Sequence, residues 1–146
     1  MSYGSSPAKI DEKSRLRLPA KFRRDLPETI DNEYYVTSYD GKCAQIYPVP
    51  VWDRIARKLQ EPPRMDPVKV KFQRITDFYG SMAEMDPQGR ILLPPRLRES
   101  AQLSGDVIVY IRQDYLEVWN EQVVSESVKE NPLTVEELEK MAEMGF

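Results

Sequence analysis

The sequence predicts an α+β fold with a mainly β core, built from two copies of one small β unit followed by a helix, with further helices beside them. Three observations lead there. One stretch of the chain recurs in diverged form, it alternates polar and apolar residues with the period of a strand, and the intervening segments carry helix caps.

The repeat comes first because it organises everything else. Ile10-Asp11-Glu12-Lys13-Ser14-Arg15-Leu16-Arg17-Leu18-Pro19 aligns with Met85-Asp86-Pro87-Gln88-Gly89-Arg90-Ile91-Leu92-Leu93-Pro94 at an offset of 75, and the match runs on to Arg23 and Arg98. Cys43-Ala44-Gln45-Ile46-Tyr47 resembles Tyr115-Leu116-Glu117-Val118-Trp119 at an offset of 72, which a loop three residues shorter explains. The division this suggests is 7–52 for the first repeat, 53–80 for connecting helices, 81–124 for the second repeat and 125–146 for an acidic helical tail.

Within each copy the elements follow from local chemistry. Asp86-Pro87-Gln88-Gly89 has Asp first, Pro second and Gly fourth, the preferences of a type I turn, and Asp11-Glu12-Lys13-Ser14 takes the same place without the glycine. Arg15-Leu16-Arg17-Leu18 alternates, which puts the leucines on the core face and the arginines on the other. Arg90-Ile91-Leu92-Leu93 is more apolar, so that strand is expected to be covered on both faces. Pro19 and Pro94 end the strands and are expected to open short helices at the first helical position. Phe22 with Leu26, and Leu97 with Ala101, then lie one turn apart on an inward face. Two β-rich runs, Tyr34 to Tyr39 and Val107 to Arg112, each reach a polar turn before a return strand ending at Tyr47 or Trp119.

Helices follow each copy. Val51 to Leu59 spaces Trp52, Ile55 and Leu59 helically before Pro62-Pro63. Asp66-Pro67 reads as an N-cap with proline in the first turn, opening a helix with a Val68, Phe72, Ile75, Tyr79 stripe that Gly80 closes. That stripe suits a core or a subunit contact. Asn120 is placed to cap a helix ending before Asn131-Pro132, and Thr134-Val135-Glu136-Glu137 fits a capping box with Leu133 and Leu138 as a hydrophobic staple.

Composition excludes several function classes. The 146 residues include no histidine and one cysteine, Cys43. Ser-His-Asp and Cys-His nucleophile systems, His-based zinc sites and an internal disulfide all fall away. Asp11 and Asp86 are explained by turns, no convergent catalytic site is visible, and neither a cofactor, a metal nor a small-molecule substrate is called for. Cys43 is expected to be a small core residue. Tyr34, Tyr35, Tyr47, Trp52 and Trp119 sit where a barrel needs bulk. The opening Met1-Ser2-Tyr3-Gly4 begins no signal-like apolar run and no stretch of membrane-spanning length occurs, so the expectation is a soluble cytoplasmic protein.

The net charge of −3 hides an uneven distribution. Residues 8–24 hold seven basic against two acidic side chains, a surplus of +5, and residues 121–146 hold two against seven, a deficit of −5. A basic N-terminal element is therefore masked by an acidic tail.

With these residues in place, the repeated Asp-x-x-Gly/Ser-Arg-x-x-x-Pro-x-x-x-Arg pattern resembles the MraZ family of bacterial transcriptional regulators. The resemblance covers roughly residues 5–130, with support from Ile46-Tyr47-Pro48, Trp52 and Glu117-Val118-Trp119. It implies two AbrB-like swapped-hairpin repeats forming one intertwined β-barrel with flanking helices. It also implies a closed homo-oligomeric ring, an octamer or larger. Such a ring binds double-stranded DNA at repeated G-rich operator elements and mainly represses its own division and cell-wall operon, in the cytoplasm and nucleoid. The family's first turn normally reads Asp-x-Lys-Gly-Arg, and here Ser14 stands for the glycine. A positive φ would strain the serine, whereas αR angles would not.

The residues themselves indicate how DNA would be met. Lys13 and Arg15 flank a tight turn, and Arg17 projects from the same strand face as Arg15. Lys13 and Arg17 suit phosphates, while Arg15 at the tip suits guanine O6 and N7. Arg24 and Arg90 complete the DNA-contact candidates. Gln88 replaces Lys13 and Leu92 replaces Arg17 in the second copy, so copy one reads as the DNA-facing copy and copy two as structural. Asp11, Asp86, Gly89, Pro19, Pro94, Arg23 and Arg98 read as the structural motif, each Asp either pairing with an Arg or bonding turn amides. Two alternatives remain: an AbrB-type antitoxin, which the tandem copies count against, and an assembly or scaffold protein with no nucleic-acid role.

Overall fold

The computed structural model describes residues 4–25 and 32–146, apart from the side chains of Arg24 and Asp25. The first repeat runs β1 (Ser5–Ile10), β2 (Arg15–Arg17), α1 (Ala20–Asp25), β3 (Glu33–Thr37) and β4 (Ala44–Pro48), and the helices α2 (Val49–Leu59) and α3 (Pro67–Tyr79) follow. The second runs β5 (Ser81–Glu84), β6 (Arg90–Leu92), α4 (Pro95–Ser100), β7 (Gly105–Ile111) and β8 (Leu116–Asn120), ending in α5 (Glu121–Glu130) and α6 (Val135–Glu143).

All eight strands join one antiparallel sheet in the order β5-β3-β4-β8-β7-β1-β2-β6, a nearly closed barrel. The repeat explains the order. Exchanging β1–β4 for β5–β8 turns the β1–β7 pairing into β5–β3, and maps the β2–β6 and β4–β8 pairings onto themselves. The two copies are thus interleaved rather than set side by side. Backbone bonds lock them crosswise: Leu18 N–H donates to the Gly89 carbonyl at 2.8 Å, and Leu93 N–H to the Ser14 carbonyl at 3.0 Å.

Alternation fills the barrel as the pattern requires. Leu16 and Ile91 face each other in register on β2 and β6 and are buried, with Leu18, Leu93, Phe22 and Leu97 around them. The Phe22 ring lies 6.2 Å from that of Tyr34. Leu97 and Ala101 are both buried, and Leu26, the expected partner of Phe22, lies outside the described residues. On the barrel's flank, α3 is tied to β3 by Thr76, whose carbonyl accepts from Thr37 Oγ1 at 2.7 Å and from the Tyr35 hydroxyl at 3.1 Å. Gly80 ends α3 without a positive φ. Glycine is needed there because a Cβ would collide with the Tyr35 hydroxyl and the Thr76 carbonyl. No helix among the described residues is long and apolar enough to cross a membrane.

Three local expectations change. Leu92 is 58 % exposed, so β6 is covered on one face only; it stands opposite Arg15 on the outward side, where alternation puts it. Pro94 is the N-cap of α4 and Pro95 takes the first helical position, one residue later than expected, and α1 likewise begins at Ala20 after Pro19. The α3 stripe is not wholly inward: Val68 is 75 % exposed. The caps themselves stand where the side chains put them. Asp66 accepts from Val68 N–H at 2.8 Å, Asn120 from Val123 N–H at 3.0 Å, and Thr134 with Glu137 closes the capping box.

Both hairpin turns close by an i to i+3 bond, Ser14 N–H to the Asp11 carbonyl at 3.0 Å and Gly89 N–H to the Asp86 carbonyl at 2.9 Å. Their fourth residues are left-handed, with φ of 66° at Ser14 and 79° at Gly89. Serine is strained in that region. Ser14→Gly is therefore expected to raise stability by roughly 1 kcal/mol, read as an upward shift in urea midpoint at unchanged slope. An unchanged or lower midpoint would show that the serine is not strained.

Cys43 is buried beside β4, and desolvation, with Glu117 and Asp40 adding to it, pushes its thiol up to about 12. The native protein is expected to resist iodoacetamide at pH 8 and to react fully once unfolded. Rapid labelling of the native state would contradict that burial.

Candidate nucleic-acid interface

The two turns aim their arginines by the same device. In copy one, Asp11 Oδ1 accepts from the backbone N–H of Lys13 and of Arg15, each at 2.9 Å, and Asp11 Oδ2 accepts from Arg15 Nε at 2.9 Å. In copy two, Asp86 Oδ1 accepts from Gln88 and Arg90 N–H at 2.9 Å, and Asp86 Oδ2 from Arg90 Nε at 3.0 Å. One carboxylate thus holds the turn and fixes the guanidinium at its end. Arg90 Nη1 also comes within 3.8 Å of Asp11 Oδ2, which links the two turns.

The aspartates therefore take both roles open to them, but with Arg15 and Arg90 rather than Arg23 and Arg98. The reason is reach, since residue i+4 of a tight hairpin lies beside its first residue while the helix arginines belong to the next element. Arg23 instead lies over the second turn, its guanidinium 3.1 Å from where a Cβ on Gly89 would stand. The Arg98 Nε is buried with no hydrogen-bond partner among the described residues. Gly89 is thus confined twice, by its φ and by Arg23.

Both carboxyls are held below the usual carboxylate range, chiefly by the backbone N–H of Arg15 for Asp11 and of Arg90 for Asp86. A folded value below the unfolded one means the stabilisation is complete above the unfolded value of about 4. It is lost as pH falls through the lower folded values. Melting temperature is expected to drop on acidification below about pH 4, and to drop less in an Asp11→Asn, Asp86→Asn double variant. Equal losses would mean that these turns do not carry the acid sensitivity.

The outward face of the β2–β6 ribbon gathers the cationic groups. Arg15 pairs in register with Leu92 and Arg17 with Arg90, so Arg15, Arg17 and Arg90 share one side opposite the buried Leu16 and Ile91. Neighbours on one strand face stand about 7 Å apart, close to the spacing of successive phosphates along one strand. Arg17 is exposed, and Lys13 is exposed at the turn. The side chain of Arg15 retains 29 % exposure, and its terminal nitrogens have no further hydrogen bond among the described residues. Lys9, on the adjacent β1, is within 3.8 Å of Asp106. The Arg24 side chain lies outside the described residues.

The sequence offered an Arg pair or turn amides for each Asp but did not show that one carboxylate does both, as a clamp. The Asp-to-Arg spacing of four across a turn was its only signal, present in both copies. Its consequence is that the arginine nearest each turn is oriented before any ligand arrives, a saving in ordering entropy on binding. Such a rigid two-stranded ribbon with outward arginines has dimensions a major groove admits.

Comparison with known proteins follows the same outline. The family model described as MraZ protein, antitoxin-like, matches residues 1–75 and 81–139. A protein of Acidobacterium capsulatum named Transcriptional regulator MraZ is 46 % identical over the whole of both chains. One of the same name from Koribacter versatilis is 36 % identical, again over the whole of both. Another from Thioalkalivibrio sulfidiphilus is 35 % identical over 83 % of this chain and 81 % of its own.

Proposed function

This chain belongs to the MraZ family, and on that premise we propose that it is a DNA-binding transcriptional regulator acting on its own operon as a homo-oligomeric ring. The name its relatives carry, transcriptional regulator, supports the general role. The observation that carries DNA contact is the outward face of β2–β6, where Arg15, Arg17 and Arg90 stand together beside Lys13. Arg15, clamped by Asp11, is the residue we assign to base edges, with Lys13 and Arg17 on phosphates and Arg90 supporting them. Arg24 is assigned to a flanking phosphate.

One subunit offers few charges, which by themselves bind weakly. A closed ring repeats the set, and several copies engaging successive elements on one duplex raise the effective affinity without any new contact. Repression of a division and cell-wall operon through repeated G-rich elements accords with this arrangement, because repeated elements match repeated subunits.

A gel shift on the DNA upstream of the chain's own gene tests the reading. The expected result is a discrete complex on that DNA, lost when the repeated elements are scrambled and the base composition kept. Equal affinity for the scrambled DNA would remove sequence-specific regulation from the account. Light scattering tests the ring, and a monomer at micromolar concentration would contradict it.

A further inference from the structure

The C-terminal helix is well made and has nothing to pack on. The capping box at Thr134 and Glu137 fixes its start, and Val135, Leu138 and Met141 lie along one side, yet every residue from 131 to 146 is exposed. Val135 is 71 % and Leu138 52 % exposed. Nine residues are too few for a helix to be stable alone in water, so such a stripe needs a partner surface.

A surface of matching chemistry lies between α2 and α3. Ile55, Leu59, Val68 and Phe72 line a groove there, with Lys58 and Lys69 along its rim. Phe72 is held from below, its ring 6.3 Å from Trp52 and 5.3 Å from Tyr39. The two helices carry six basic against two acidic residues, whereas residues 121–146 have a deficit of −5.

We propose that α6 of one copy docks, apolar side down, in the α2–α3 groove of a neighbouring copy of this chain, with Glu139, at the edge of the apolar stripe, set against the groove's lysines, Lys58 and Lys69. Charge complementarity selects the occupant. The groove presents cations around an apolar floor, and α6, every residue of which is exposed, presents carboxylates around an apolar stripe. The inference rests on the homo-oligomer reading, which supplies a second copy. A nine-residue helix buries far less than the roughly 1,200 Å² of a stable interface, so the docking supplements a ring contact rather than making it. It also draws the acidic tail onto cationic helices and away from the turns that face DNA.

The test uses the full-length chain with Val68→Cys and Leu138→Cys, both at exposed positions, treated with a short bis-maleimide and run on a denaturing gel. The proposal expects a ladder of covalent multimers. Adding Lys58→Glu and Lys69→Glu should reduce the ladder about threefold, the worth of an exposed ion pair, and adding Glu139→Lys to that variant should restore it. Cross-linking confined to single chains would overturn the proposal by placing the helix on its own groove, and no cross-linking would overturn it outright. Light scattering on the unmodified chain keeps the two readings apart. A ring without tail cross-links removes only the docking, whereas a monomer removes the ring as well.

Discussion

Replacing Arg15 with alanine is expected to weaken binding to the upstream DNA by about tenfold to a hundredfold for each element read, the worth of a bidentate guanine contact. The ground is the clamp: Asp11 holds Arg15 Nε at 2.9 Å and leaves the terminal nitrogens with no further hydrogen bond among the described residues. Affinity for unrelated DNA should change much less, because phosphate contacts from Lys13 and Arg17 remain. Light scattering should show the same particle mass as the parent. The variant also removes a bond to Asp11, so its melting temperature must be compared. Asp11 keeps its two amide donors, and the turn should survive. Unchanged affinity for the upstream DNA would take Arg15 out of the interface.

Replacing Phe22 with alanine is expected to cost about 3–5 kcal/mol in urea denaturation. Phe22 is fully buried where α1 meets the barrel, with Tyr34 beside it and Leu16, Leu18 and Ile91 in the same core. Truncation removes an aromatic ring from an interior that Pro19 and the β2 strand hold on one side, so collapse around the cavity is limited. Against a typical total of about 5–15 kcal/mol, such a loss is a large fraction of the whole. A cost under about 1 kcal/mol would show the site to be loosely packed.

The two predictions separate what the chain needs to fold from what it needs to act, and the sequence shows much of both. Alternation in Arg15-Leu16-Arg17-Leu18 separates the core leucines from the outward arginines, and the structure places Leu16 at no exposure with Arg17 outside. Asp66, Asn120 and Thr134 could be placed as caps because a cap needs only residues within one turn of it.

Long-range features were harder. That β1 pairs with β7 and β3 with β5 depends on contacts between residues some 50 to 100 positions apart, which no local pattern encodes. The family resemblance, not periodicity, supplied the interleaving. Leu92 looked like core because its neighbours are apolar, and only the β2–β6 register shows that it shares the outward face with Arg15. Ser14 posed a question that sequence could not answer, since serine fits αR and merely tolerates αL; its φ of 66° decides for strain. The pairing of Asp11 with Arg15 rather than Arg23 follows from the hairpin's backbone bonds, again a matter of geometry.

The central claim is that a rigid, arginine-bearing β2–β6 face binds DNA through phosphates and base edges. The most direct measurement is the affinity of the unmodified protein for its upstream DNA by fluorescence anisotropy across a range of salt concentrations. With Lys13, Arg17 and Arg24 on phosphates, the logarithm of affinity should fall linearly with the logarithm of salt, with a slope of about −3 for each subunit engaged. A flat salt response, or no measurable binding at low salt, would contradict the account.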